Sequence, residues 1–221
     1  RIRENVFQGN KLTSLTLPDS LTRIDSFTFS YNELQYLTIP KNMISVYPFA
    51  FSYNPSLSDV LILSPTVELR DEHIFYNSSP DLRLHGYAGS TTETYAATLG
   101  ATFQPINAEL EDIQLDIAGF TFDPVVRNFN VMTNATSVIV TPIARSPFSI
   151  VKVNDEPVIY GESASAIPLV AGANSITIDV EAADGNSSEQ FKIVLNVNQT
   201  APTLDLSATP TTPTNGNVTI N

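Results

Sequence analysis

Arg23-Ile-Asp-Ser-Phe-Thr-Phe-Ser-Tyr-Asn-Glu-Leu-Gln-Tyr-Leu-Thr-Ile-Pro40 decides the fold, because it repeats Arg1-Ile-Arg-Glu-Asn-Val-Phe-Gln-Gly-Asn-Lys-Leu-Thr-Ser-Leu-Thr-Leu-Pro18 without a gap. Phe7 aligns with Phe29, Asn10 with Asn32, Leu12 with Leu34, Leu15 with Leu37 and Leu17 with Ile39. A third copy supplies Val46, Phe51 and Asn54, then one inserted residue before Leu57, Val60 and Ile62. A decayed fourth supplies Leu69, Ile74, Asn77, Leu82 and Leu84. A fixed period of this length marks a stacked array, in which each copy buries its apolar side against the next. The spacing Leu-x-x-Leu-x-Leu predicts one short strand per coil, its apolar residues inward and the intervening ones outward. Phe7, Phe29 and Phe51 are expected to stack as an internal spine. Asn10, Asn32, Asn54 and Asn77 are expected to form a ladder whose amides pair backbone groups at a tight bend.

Past the last copy, Ser90 precedes Glu93 by capping-box spacing, and Gly100 stands where a helix would stop. A short helix over 91–99 follows, with Tyr95, Ala96 and Leu99 on the face that would close the array. The coil Leu34-Gln-Tyr-Leu-Thr-Ile-Pro40, the run Phe49-Ala-Phe-Ser-Tyr-Asn54 and the stretch Gly86-Tyr-Ala-Gly-Ser-Thr-Thr-Glu-Thr-Tyr-Ala96 resemble the BspA-like leucine-rich repeats of bacterial cell-surface proteins. That resemblance spans roughly 1–107 and implies a solenoid of about four coils with a C-terminal helical cap.

From Ala108 the pattern changes to short alternating runs: Ile113 to Ile117, Phe129 to Met132, Ser137 to Thr141, Phe148 to Val153, Ser175 to Val180 and Gln190 to Val197. Asn154-Asp155 and Ala183-Asp-Gly-Asn186 read as hairpin turns between them. Such spacing predicts a β-sandwich. Gly119-Phe-Thr-Phe-Asp-Pro124, Val151-Lys-Val-Asn154 and Ile167-Pro-Leu-Val-Ala-Gly-Ala-Asn-Ser-Ile-Thr-Ile178 resemble the bacterial cadherin-like β-sandwich, with Phe129 where that family more often carries Tyr. Residues 200–221 resemble a linker or the opening of an immunoglobulin-like repeat. The expected architecture is therefore mainly β: solenoid over 1–107, immunoglobulin/cadherin-like sandwich over 108–199, then the partial segment 200–221. Arg1 is no initiator, so the sequence reads as a piece of a longer chain.

Composition narrows the chemistry. Among 221 residues, 42% are hydrophobic and 15% charged, enough apolar content for real cores. A net charge of -12 has the wrong sign for phosphate backbones, so no nucleic-acid partner is expected. Without cysteine and with only two histidines, thiolate metal sites and cysteine nucleophiles are ruled out. His73 and His85 read as structural or solvated, no Gly-x-Ser-x-Gly occurs, and the expectation is no enzyme, no cofactor and no metal. Asp184-Gly-Asn186 falls short of a calcium loop, and Glu109-Leu-Glu-Asp112 at the junction is the alternative place for a stiffening cation. The Asn-x-Ser/Thr sites at Asn77, Asn134, Asn186, Asn198 and Asn217 are discounted in view of the bacterial resemblance.

What remains is the outward face of the coil strands. One column reads Ser14, Tyr36, Asp59 and Asp81, the next Thr16, Thr38, Leu61 and Arg83. These eight are the candidate binding residues, for an unidentified protein partner on the concave face, with Tyr36 and Leu61 as anchors. Together the resemblances imply a secreted or cell-surface, non-enzymatic adhesion fragment whose sandwich acts as spacer, without membrane insertion in this stretch. The alternatives are an accessory region of a secreted carbohydrate-active or cell-wall-acting enzyme, and a self-associating envelope component.

Overall fold

The computed structural model describes residues 1–198; the reading of 200–221 as a linker or immunoglobulin-like start lies outside them. Seven strands and one helix make the repeat part: β1 (Arg23–Ile24), β2 (Tyr36–Ile39), β3 (Ser45–Val46), β4 (Asp59–Ile62), β5 (Glu68–Leu69), β6 (Arg83–Gly86), α1 (Thr91–Leu99) and β7 (Thr102–Pro105). They pair in parallel as two sheets, β1-β3-β5 and β2-β4-β6-β7, so the second, third and fourth copies each add one strand to each; the first copy, expected to carry a strand at Leu12 to Leu17, forms none and meets β1 at the bridge of Ile2 with Ile24. Between them Leu34, Leu37, Ile39, Phe51, Val60, Ile62 and Leu84 lie buried in one cluster, the inward half of the Leu-x-x-Leu-x-Leu pattern.

The phenylalanine spine forms. Phe7 stacks on Phe29 at 5.2 Å, Phe29 on Phe51 at 5.3 Å, and Phe51 on Phe75 at 5.9 Å. The sequence reading had Ile74 as that copy's apolar contribution; the ring one residue on continues the column. Two further columns run beside it: Phe27, Phe49 and His73, and Tyr31 with Tyr53 at 4.2 Å. Phe27, Phe49, Tyr31 and Tyr53 all carry φ between 57° and 59°. Bulky residues adopt this left-handed region at a cost of roughly 1–2 kcal/mol each, against which the ring stacking works.

The asparagine ladder holds for two members. Asn32 Oδ1 accepts from the N–H groups of Asn10 (3.1 Å) and Leu12 (2.9 Å), while its Nδ2 donates to the carbonyls of Phe7 and Phe29. Asn54 Oδ1 accepts from Leu34 N–H at 3.2 Å and its Nδ2 donates to Phe29 and Phe51. Asn10 is exposed and bonds only its own turn, at Gln8. Asn77 is exposed with φ 57° and makes no ladder bond. The cause is local. The residue inserted into the third copy lets Leu57 N–H pair with Asn54 O at 2.9 Å, which removes the orphan donor a fourth rung would serve.

Helix α1 spans the expected residues, buries Thr92, Tyr95 and Ala96 and packs Leu99 partly against the repeat core. Its capping differs from expectation. Ser90 makes no side-chain cap bond, and Glu93 reaches back to Gly89 N–H at 2.7 Å instead of Ser90. Gly100 ends the helix in the left-handed conformation, as read.

The second part contains β8 (Leu110–Leu115), β9 (Asn128–Thr133), β10 (Ser137–Val138), β11 (Val140–Ala144), β12 (Ile150–Val153), β13 (Glu156–Val158), β14 (Ile167–Pro168), β15 (Gly172–Glu181) and β16 (Ser188–Val197). A five-stranded sheet, β13-β12-β15-β16-β9, packs its apolar face against the pairs β8-β11 and β10-β14 around Ile113, Val140, Ile176, Phe191 and Leu195. All its pairings are antiparallel except β9 with β16. Ser137 to Thr141 is not one strand: it divides between β10 and β11, which belong to different sheets. Phe148 lies in the turn before β12 and not on a strand.

Both expected hairpin turns are present. Asn154 and Asp155 sit at φ 49° and 66° between β12 and β13, a type I′ pair. Asp155→Gly is expected to raise stability by about 0.5 kcal/mol, because glycine takes this conformation without the Cβ penalty and loses part of that gain in chain entropy. The midpoint of urea unfolding reads it directly.

Candidate functional site

Strand register sets the outward columns, and it corrects the sequence reading in the fourth copy. Tyr36 pairs with Asp59, and Asp59 with Arg83; Thr38 pairs with Leu61, and Leu61 with His85. The columns are therefore Tyr36, Asp59, Arg83, Thr102 and Thr38, Leu61, His85, Gln104. Asp81 is displaced from the face, exposed in the turn before β6, and Arg83 moves into the column assigned to Asp81. The loop into the fourth copy is longer than the period, and counting at constant spacing slipped by two residues, one full strand alternation.

Half of this face is closed. Asp59, Leu61 and His85 are only 1%, 3% and 1% exposed, although they point away from the repeat core. Phe148, from the turn between β11 and β12, stands edge-on against His85 (5.3 Å) and Tyr36 (6.3 Å). Asp59 chiefly, with Tyr160 nearby, holds the Arg83 guanidinium, and burial, with Asp184 nearby, raises the Tyr87 phenol. Ile106 N–H donates to Gly86 O at 2.9 Å, so the chain passes from one part to the other without slack. Asp59, a candidate binding residue, and Leu61, an expected anchor, are thus packed away, whereas Ser14, Thr16, Thr38 and the other anchor, Tyr36, stay solvent-accessible.

Under Phe148 lies a charge cluster that sequence spacing could not show. Asp59 Oδ1 accepts from Arg83 Nε at 2.8 Å and from His85 Nε2 at 2.9 Å; Oδ2 accepts from Ser58 Oγ at 2.8 Å and Arg83 Nη2 at 3.1 Å. A carboxylate only accepts, so His85 donates through Nε2. Its Nδ1 is buried with no partner among the described residues. Burial pushes the Asp59 carboxyl up, but the bonds from His85, Arg83 and Ser58, with the Arg83 charge, outweigh it and hold the group below the usual carboxylate range. His85 and Asp59 are 26 residues apart. Only the parallel register makes them neighbours.

The open half forms a cleft of about 520 Å3 lined by Thr13, Ser14, Thr16, Gln35, Tyr36, Thr38 and, from the second part, Phe148. No side chain in this lining carries a formal charge at neutral pH. A second hollow, of about 660 Å3, lies between β5 and α1, where Glu68 pairs with Arg70 and Tyr95 OH donates to Asp71 O. Among the described residues no three His, Asp or Glu side chains converge as metal ligands would. At the junction Glu109 pairs with Arg145 and Asp112 accepts from Ile113 N–H and Gln114, while Asp184 accepts from Asn186.

The comparisons fit this geometry. Residues 81–198, more than half of the chain, match the family described as cadherin-like beta sandwich domain. The chain belongs to that family. Ahead of the cadherin-like sandwich, residues 1–87 match the BspA type leucine-rich repeat region in six copies, in the order the sequence reading gave. The cadherin-like match begins at residue 81, whereas the resemblance read from sequence began at 108; β6 and α1 within that overlap pair and pack with the repeats. Both kinds of domain are typically non-catalytic, and leucine-rich repeats commonly bind proteins. No helix among the described residues is long and apolar enough to cross a membrane. No curated protein matches the chain.

Proposed function

We propose that this chain is a non-enzymatic adhesion region of a bacterial surface or secreted protein. The repeats act as a solenoid that presents a recognition face to a protein partner, α1 caps its end, and the sandwich spaces and braces it. The observation that carries this reading is the outward sheet face around Tyr36, open on the first two repeats and buttressed from the side by Phe148. The domain limits of the proposal are 1–107 and 108–199. The recognition residues are Ser14, Thr16, Tyr36 and Thr38, with Asp59, Leu61 and Arg83 serving the joint and Asp81 neither.

A spacer role is supported by the path of the chain. Leu110 pairs with Ala144 next to the Phe148 turn, whereas β16 ends at Val197 opposite Gly172. Ten residues of strand separate the two ends of β16, roughly 33 Å. Entry and exit are at opposite ends, as a stalk segment requires.

Beads coated with the chain are expected to adhere to target cells, to lose adhesion when those cells are first treated with protease, and to lose about tenfold in binding on Tyr36→Ala. Adhesion that ignores both treatments would overturn the reading.

A further inference from the structure

We infer that the cleft between the open sheet face and Phe148 seats a neutral saccharide unit. This rests on the sheet-face reading above and names what that face takes. Size argues first. The open part of the face, β2 with the run 13–16 beside it, is four residues long and on the order of 130 Å2, against about 800 Å2 per partner in a standard protein interface. A protein footprint must therefore extend well beyond the cleft, whereas a cleft of about 520 Å3 accommodates one or two sugar rings.

Chemistry argues second. In a chain of net charge -12, this lining is free of carboxylates, ammonium and guanidinium groups. It offers hydroxyls from Thr13, Ser14, Thr16 and Thr38 and the amide of Gln35, groups that donate and accept and so suit vicinal hydroxyls of either polarity. An ionic ligand would leave its charge uncompensated here.

The aromatic geometry argues third. Tyr31 and Tyr53 stack on each other at 4.2 Å in a column that takes no part in the cleft lining. Tyr36 is 45% exposed, and its only ring neighbour among the described residues, Phe148, meets it at 85°. An edge-on neighbour cannot cover both faces. The carbon-hydrogen face of a pyranose packs on the open one, with the Phe148 ring as a side wall supplied by the other domain.

Neutral sugars reach such a face as free polysaccharide or as the glycan of a protein partner. Two arms separate these sources. In the first, amide chemical shifts of the whole chain are followed on adding cellotetraose, maltotetraose or chitotetraose, with sialyllactose as the charged counter-probe. Residues 13–16, 35–38 and 147–149 are expected to shift with at least one neutral probe. Tyr36→Ala and the conservative Thr38→Val are expected to weaken binding, Tyr36→Ala by about tenfold, while Tyr31→Ala leaves it unchanged. In the second, binding to a glycoprotein is compared before and after enzymatic removal of its glycans; loss on removal assigns the unit to a protein-borne glycan. The inference is overturned if no neutral probe shifts these residues at millimolar concentration, or if only sialyllactose does. Should a protein partner bind, depend on Tyr36 and ignore both sugars and deglycosylation, the saccharide fails and protein recognition by the face stands.

Discussion

Asp59→Ala is expected to destabilise the folded chain by roughly 4 kcal/mol, because it leaves the buried His85 N–H without its acceptor and the inner end of Arg83 without its counter-charge. Truncating one partner of a buried cluster costs more than the cluster contributes. The complementary experiment replaces all three: Asp59→Leu, Arg83→Met and His85→Leu together should recover most of the loss, since apolar groups of similar volume often match a buried ion pair. Urea midpoints at constant m-value measure both. Asp59→Asn carries the pH test. The folded carboxyl is held below its ordinary value, so its contribution is complete above the carboxylate range and fades as pH falls below about 4. The stability gap between the parent and Asp59→Asn should therefore be widest near neutrality and narrow in acid. Asp25, held low by hydrogen bonds from Arg1 and Arg23 against its burial, titrates with the same sign in both proteins and cancels from the difference.

Asn54→Ala is expected to cost about 3 kcal/mol. Its side chain is fully buried and serves four backbone groups at once, the N–H of Leu34 and the carbonyls of Phe29, Phe51 and Ser52. Alanine therefore strands that donor and those acceptors together inside the fold. Asn54→Asp keeps the acceptor and loses the donors, and is expected to fall between parent and alanine only where acid protonates it. Asn10→Ala, at the same repeat position but exposed, should change stability by no more than about 0.5 kcal/mol. Equal losses at Asn10 and Asn54 would show that the ladder is a turn preference and not a buried network.

How much of this could be read from the residues depended on whether neighbours in space were a fixed number of residues apart. Phe29 over Phe51 and Asn32 under Asn54 follow from a period of 22, so the spine and the ladder were legible. The sandwich strands were legible where alternation ran long, as in β15 and β16, and blurred where Ser137 to Thr141 crosses between sheets. The site was half legible. Tyr36 and Thr38 emerged from strand alternation, and Ser14 and Thr16 from the period of 22 that aligns them with those two, although no strand forms at 13–17. The burial of Asp59 and Leu61, the pairing of His85, read as structural or solvated, with Asp59, and the part played by Phe148 all depend on a loop-length slip and on how a second domain lies against the first. Neither leaves a periodic trace. Phe148 had a weak signal, a large ring between Ser-Pro and Ser in a turn, where an exposed aromatic calls for a partner.

The one parallel pairing of the sandwich, β16 alongside β9 in register from Lys192 to Val197, bears on how the molecule resists a pull. Tension entering near Leu110 and leaving past Val197 runs along β16, so its rungs to β9 and β15 are loaded in shear and must rupture together instead of unzipping one by one. A tether built this way holds its length under drag until it fails abruptly.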